Sequence, residues 1–135
     1  MLKPIFVDTS FVIALINQRD QYHPLAVLLA NEFENHPLLT SEVVLLEIGN
    51  ALARKYKQEA ITVIEAFLHA EDVTIIPLTH SLFEQGFALY KQYQDKTWSL
   101  VDCTSMVIMR KENVRRVLTF DKHFSQAGFE ILSPS

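Results

Sequence analysis

The sequence predicts an α/β fold of three layers, with helices on both faces of a mainly parallel central sheet. Three observations carry that expectation. Short apolar runs alternate with longer stretches of helical periodicity along the whole chain. The runs are short enough for strands and carry turn or capping residues at their ends. Two acids, Asp8 and Asp121, directly follow or close predicted strands, at the sheet edge where parallel sheets bind ligands. At 135 residues the chain is expected to form one domain, 1–135.

The elements follow in order. Ile5-Phe6-Val7 reads as a buried strand, closed by Asp8-Thr9-Ser10, which can cap a short helix from Phe11 to Ile16. Asn17 to Gln21 is a polar turn, and a helix from about Pro24 to Glu34 follows, with proline suited to its first turn. Leu38 to Thr40 reads as the second strand. Thr40 or Ser41 then caps a helix to about Tyr56, whose apolar stripe is Leu45, Ile48, Leu52 and Tyr56. Another helix covers about Glu59 to His69, and Val73 to Ile76 is a β-branched strand bounded by Pro77. Ser81 to Glu84 and Ser99 to Asp102 have the capping-box pattern and open helices to about Tyr93 and Lys111. Arg116 to Thr119 and Phe129 to Leu132 read as the last two strands.

Composition narrows the function classes. Nearly half the residues are apolar and about a fifth charged, enough for one core. The amino-terminal stretch from Met1 ends its apolar run at Asp8, too early for a secretory signal, and no run is long enough to span a membrane. With a single cysteine, Cys103, neither an internal disulfide nor a cysteine-rich metal site is expected, and a cytoplasmic location follows as the default. A net charge of −4 argues against a protein that coats nucleic acid with a broad basic face. A nuclease remains compatible. If cations neutralise four of the sixteen acids, the remaining twelve match the twelve lysines and arginines.

Four acids stand in apolar surroundings: Asp8 after the first strand, Glu47 within Val43 to Ile48, Asp102 between Val101 and Cys103, and Asp121 after Phe120. A lone carboxylate there is expensive to desolvate, and several together repel one another and take up protons. A hard divalent cation, Mg²⁺ or Mn²⁺, relieves both problems. Each acid also has a bland reading. Asp8 caps a helix, Glu47 lies at the edge of an amphipathic stripe, Asp102 completes a capping box, and Asp121 caps a short helix from Lys122. Their arrangement, with at least three at one edge of the sheet, favours the metal reading. Cys103 reads as a packing residue, Trp98 as packing near the rim of the site, and His123 as a structural histidine.

Four segments resemble the PIN-domain family, and within it the VapC-type toxins. They are Ile5-Phe6-Val7-Asp8-Thr9-Ser10, Ser41 through Glu47 to Leu52, Trp98-Ser99-Leu100-Val101-Asp102-Cys103-Thr104-Ser105, and Leu118-Thr119-Phe120-Asp121-Lys122-His123-Phe124. Each is weak alone; their order and spacing along the chain are specific. The resemblance implies that Asp8, Glu47, Asp102 and Asp121 form an acidic quartet holding Mg²⁺ or Mn²⁺. It also implies hydrolysis of RNA, with water attacking phosphorus to leave a 5′-phosphate and a 3′-hydroxyl. Asp121 has the least fixed role of the four. Thr9, Ser10 and Ser105 match small hydroxyl positions beside the acids, and Arg54 and Lys96 are the candidates for phosphate contacts. The implied partners are an RNA substrate, a VapB-like antitoxin whose tail blocks the acidic pocket, and a second copy in a homodimer, with no membrane. The alternative is a PIN-like module that binds RNA or protein without cutting. A phosphotransfer receiver would need an acidic pair after the first strand, and no glycine-rich phosphate loop is present.

Overall fold

Ile5, Phe6 and Val7 offer apolar side chains to both faces of a strand, which is stable only where both faces are covered. In the computed structural model, which describes residues 2–135, β1 (Ile5–Val7) accordingly lies at the centre of the sheet with all three side chains buried. Met1, the first residue of the stretch read above for a targeting signal, lies outside the described residues. With β2 (Leu38–Ser41), β3 (Val73–Ile76), β4 (Arg116–Leu118) and β5 (Glu130–Ile131) the spatial order is β3-β2-β1-β4-β5, and every neighbouring pair is parallel.

Helices α1 (Thr9–Ile16), α2 (His23–Glu32), α3 (Glu42–Ala51), α4 (Lys57–His69), α5 (His80–Gln92), α6 (Leu100–Lys111) and α7 (His123–Gln126) flank the sheet as the three-layer reading expects. Parallel strands need such crossovers. The core between the layers holds Phe6, Leu39, Ile48, Met106, Ile108, Met109 and Phe124, all fully buried. No described helix is long and apolar enough to cross a membrane.

The chain leaves β1 toward β2 and β3 on one side, then returns to place β4 on the other side of β1. The carboxyl ends of β1 and β4 therefore face a crevice at the point where the strand order reverses. Val7 pairs with Leu118, and Asp8 N–H donates to the Leu118 carbonyl at 3.0 Å, so the residues just past the two strands lie side by side.

Two boundaries correct the sequence reading. The helix expected to run to Tyr56 ends at Ala51, while Leu45, Ile48 and Leu52 are buried as the stripe required. Past Leu52 the residues Ala53, Arg54 and Lys55 are exposed and give a helix nothing to bury. Tyr56 is half-buried from a left-handed backbone, φ 64°, at the entrance to α4. Arg54 consequently lies in a bend rather than on the helix of Glu47. The second correction concerns α5, which starts earlier than the Ser81–Glu84 pattern suggested. Thr79 caps it, its Oγ1 accepting from Leu82 N–H at 3.1 Å, and Ser81 instead accepts from the Gln85 amide.

Candidate active site

Asp8 ends β1 and opens α1. Its carboxylate is 3% exposed and accepts from Thr119 Oγ1 at 2.7 Å, from Ser10 Oγ at 2.9 Å and from Ser10 N–H at 3.4 Å. Burial pushes this carboxyl from its ordinary 3.8 up to about 6. The hydrogen bonds from Thr119 and Ser10 oppose that rise, and the negative charge of Asp102 adds to it. Asp8 is therefore a buried carboxylate that senses a second one, and no lysine, arginine or histidine bonds to it among the described residues.

Asp102 comes from the first turn of α6. The capping box read from the sequence forms: Ser99 Oγ accepts from Asp102 N–H at 3.0 Å, and Asp102 Oδ2 accepts from Ser99 N–H at 3.0 Å. The same Oδ2 lies 2.9 Å from His123 Nδ1. Asp121 follows β4, and its Oδ1 lies 3.0 Å from the same ring nitrogen while accepting from His123 N–H at 2.9 Å. Two carboxylates around Nδ1 require that nitrogen to carry the proton. Asp102 and Asp121 thus bring carboxylate oxygens within 4.8 Å of each other and of the His123 ring.

In each aspartate these hydrogen bonds gather on a single oxygen: Oδ2 of Asp8, Oδ2 of Asp102 and Oδ1 of Asp121. The second oxygen of each takes none of them. One oxygen holds the side chain in place, and in Asp102 and Asp121 the other takes no hydrogen bond among the described residues, while Asp8 also receives one from the Thr9 backbone.

The hydroxyls divide in the same way. Ser10 Oγ joins three parts of the site, lying 2.9 Å from Asp8 Oδ2 and from Thr119 Oγ1 and accepting from Phe120 N–H at 3.0 Å. Thr9 Oγ1 and Ser105 Oγ are buried with no hydrogen-bond partner among the described residues. Thr9 adjoins Asp8, and Ser105 lies one helical turn beyond Asp102. A buried hydroxyl without a partner is uncommon and marks a place for water or a ligand. All-oxygen donors, mutual repulsion and unpaired hydroxyls together fit a hard divalent cation.

Glu47 stands apart from this network. It is half-buried on α3 and makes no hydrogen bond or ion pair with the other acids among the described residues. Arg54 and Lys96 are exposed, and Lys96 lies 3.5 Å from Asp95. Two further residues belong to the site: Thr119, which the sequence reading did not single out, and His123, which it read as a structural histidine. Thr119 bonds Asp8 and also accepts from Asp121 N–H at 3.0 Å. His123 bridges Asp102 and Asp121, and its Nε2 lies 3.1 Å from Thr97 Oγ1. The local signal for both was the spacing Thr119-x-Asp121-x-His123, in which Thr119 and Asp121 each cap the backbone N–H two positions on. Trp98 is buried and donates to Gln126 Oε1 at 2.9 Å, as a packing residue. Cys103 is buried, and burial pushes its thiol up to about 11, which removes it as a nucleophile.

Comparison with known proteins adds to this geometry. The family described as PIN domain matches residues 5–130. The chain is 34% identical over 132 residues to the 23S rRNA-specific endonuclease VapC20 of Mycobacterium tuberculosis, covering 96% of this chain and 98% of that protein. It is 27% identical over 137 residues to ribonuclease VapC1 of Aquifex aeolicus, covering 96% and 89% of the two chains. The crystal structure of VapC20, described as a toxin that cleaves the sarcin–ricin loop, superposes with a TM-score of 0.86 over 96% of this chain and 99% of that one. FitAcB of Neisseria gonorrhoeae, at 15% identity, shares the fold with a TM-score of 0.64 over 96% of this chain and 97% of its own.

Proposed function

The chain belongs to the PIN-domain family as a VapC-type toxin ribonuclease, and on that premise we propose that it hydrolyses RNA with Mg²⁺ or Mn²⁺ held among Asp8, Asp102, Asp121 and Glu47. The observation that carries the metal reading is the one-sided bonding of the three aspartates. Each comes from a different part of the chain and keeps one oxygen free of those hydrogen bonds. Glu47 is assigned by the resemblance, from its place on α3. When bound, the ion supplies positive charge to a phosphoryl group and lowers the pKa of a coordinated water.

The chain's own residues set up that chemistry. Ser10 and Thr119 fix the Asp8 carboxylate from two elements, so its position does not depend on one rotamer. Ser99 does the same for Asp102 through the capping box. His123 holds Asp102 and Asp121 at a common distance, which keeps the two acids together against their repulsion. Thr9 and Ser105 have hydroxyls available to orient water or a phosphate oxygen. No nucleophilic side chain is required, in keeping with the buried Cys103.

We take the substrate to be a structured RNA of translation, because VapC20, 34% identical, is named for 23S rRNA. The VapC relatives support a VapB-like antitoxin as partner, a cytoplasmic location, and one domain spanning 1–135. A homodimer draws support from large apolar side chains left at the surface, including Leu46 at 61% and Leu68 at 58% exposed. The deciding experiment is incubation of the purified protein with RNA under Mg²⁺, Mn²⁺ or chelator. Cleavage only with the divalent ion, leaving 5′-phosphate ends, and its loss in Asp8→Asn and Asp102→Asn variants of native fold is the expected result. Tight RNA binding with no cut under either ion would favour a non-catalytic module.

A further inference from the structure

Beside the acids lies a groove of about 580 Å³ whose walls include Ser10, Asp121 and His123 together with Tyr22 and Phe120. The aromatic part is a built stack. The Tyr22 ring lies parallel to Phe120, with centroids 4.7 Å apart at 3°, and Phe120 stacks in turn on the buried Phe11 at 6.0 Å and 25°. Tyr22 is the outermost ring and remains 37% exposed.

The platform is held rigidly. Tyr22 N–H donates to Asp20 Oδ1 at 2.8 Å, Asp20 N–H to the Asn17 carbonyl at 3.0 Å, and His23 Nδ1 lies 2.8 Å from the Ala14 carbonyl. It is also tied to the acids, because the Ser10 hydroxyl that contacts Asp8 accepts the Phe120 N–H.

We propose that Tyr22, backed by Phe120, is the stacking subsite for a nucleobase adjacent to the bond that is cut, a reading that rests on the ribonuclease assignment above. An exposed ring at the end of an aromatic stack offers a π-face to any base, and such stacking binds bases with little regard to sequence. The groove suits an unstacked nucleotide, because single-stranded or splayed-out bases are the ones proteins stack on aromatics. Its charges favour this mode over pairing with phosphate: Asp20 and Asp121 line it against the single Lys122. The volume is in the range of small-ligand sites. Gln21, exposed on the same wall, presents an amide donor and acceptor to the edge of the base.

The test compares wild type, Tyr22→Phe, Tyr22→Leu and Tyr22→Ala on the shortest RNA from a randomised single-stranded pool that wild type cuts at one bond. Tyr22→Ala and Tyr22→Leu are expected to lower kcat/KM by about tenfold or more, mainly through KM, with Tyr22→Phe within about twofold of wild type. Tyr22→Leu keeps an apolar cover over Phe120, which separates lost stacking from lost packing, and melting temperatures report folding. RNA made abasic at one of the two nucleotides flanking the cut should lose the same factor with wild type and nothing further with Tyr22→Leu. An unchanged kcat/KM in Tyr22→Leu, or equal losses on intact and abasic RNA at both positions, overturns the subsite.

Should wild type cut no RNA, the ribonuclease reading fails separately, and binding of a single-stranded RNA carrying one 2-aminopurine decides the subsite. Quenching with wild type and Tyr22→Phe but not with Tyr22→Leu supports it, whereas quenching independent of Tyr22 sinks it. If Tyr22→Leu weakens only the binding of a protein partner, with both RNA readouts unchanged, the face belongs to that partner and the proposal is overturned.

Discussion

At the scale of single residues, burying the Asp8 carboxylate costs stability. Its carboxyl is raised from 3.8 to about 6, chiefly by burial, so the folded protein binds this proton more tightly than the unfolded chain does. Between those values the folded state holds the extra proton, and stability contributed by this group falls as pH rises through the window. Above pH 6 the full destabilisation is present, up to about 3 kcal/mol from a shift of this size. Asp8→Asn keeps the acceptor for Ser10 and Thr119 and removes the charge. In metal-free buffer the variant should therefore match wild type near pH 4 and exceed it in chemical denaturation by pH 8. A stability gap that does not grow with pH would show that the carboxylate is already neutralised by its neighbours. The same substitution is expected to abolish cleavage. Asp8, Asp102 and Asp121 were visible in the sequence because each is an acid in apolar surroundings, and their bland readings also hold: all three accept a backbone N–H at the start of a helix or turn. Capping places them and leaves an oxygen for chemistry. Thr119 showed locally only its cap on Asp121 N–H, because its bond to Asp8 joins positions 111 residues apart.

Among the elements, the strands and the Ser99 cap were legible because their determinants are local: β-branched runs, and a hydroxyl three residues before a carboxylate. The end of α3 was not. An apolar residue at Tyr56 continues a helical stripe in the sequence, yet tertiary packing sets it in a left-handed turn instead. Two helix-level predictions follow from contacts of α6. Ser99→Ala removes the acceptor for Asp102 N–H, which should cost about 1 kcal/mol of stability. Activity should fall by no more than that cost implies, because the Ser99 backbone N–H that bonds the Asp102 carboxylate is kept in the variant; a much larger loss would show that the hydroxyl also positions Asp102. Gly86 lies where α5 crosses α6, and a Cβ there would meet Thr104 Oγ1 at 2.6 Å and Thr104 Cα at 3.2 Å. Because backbone as well as side chain is in the way, the helices must separate. Gly86→Ala is expected to destabilise by about 1–3 kcal/mol despite its better helix propensity. A raised melting temperature would mean the two helices slide apart freely.

Across the whole molecule, the three aspartates proposed to hold the ion join segments from the start, the last third and the end of the chain: Asp8 after β1, Asp102 in α6 and Asp121 after β4. An ion bound among them reaches the native state alone, since the unfolded chain scatters those carboxylates. Binding therefore adds RT ln(1 + [L]/Kd) to stability, about 2.7 kcal/mol at a hundredfold excess over Kd. For a chain of this size that corresponds to a rise on the order of 10 °C in melting temperature. The sign at Asp8 makes the test sharper than a simple shift. At pH 8 without metal, Asp8→Asn should melt above wild type, because it carries no buried charge. With saturating Mg²⁺ or Mn²⁺ the order should reverse, because only wild type gains the full binding term. Calorimetric scans of both proteins across a metal titration would show the two melting curves cross. Parallel curves would mean that the ion binds elsewhere, and that the pocket formed where the strand order reverses holds its acids together by hydrogen bonds alone.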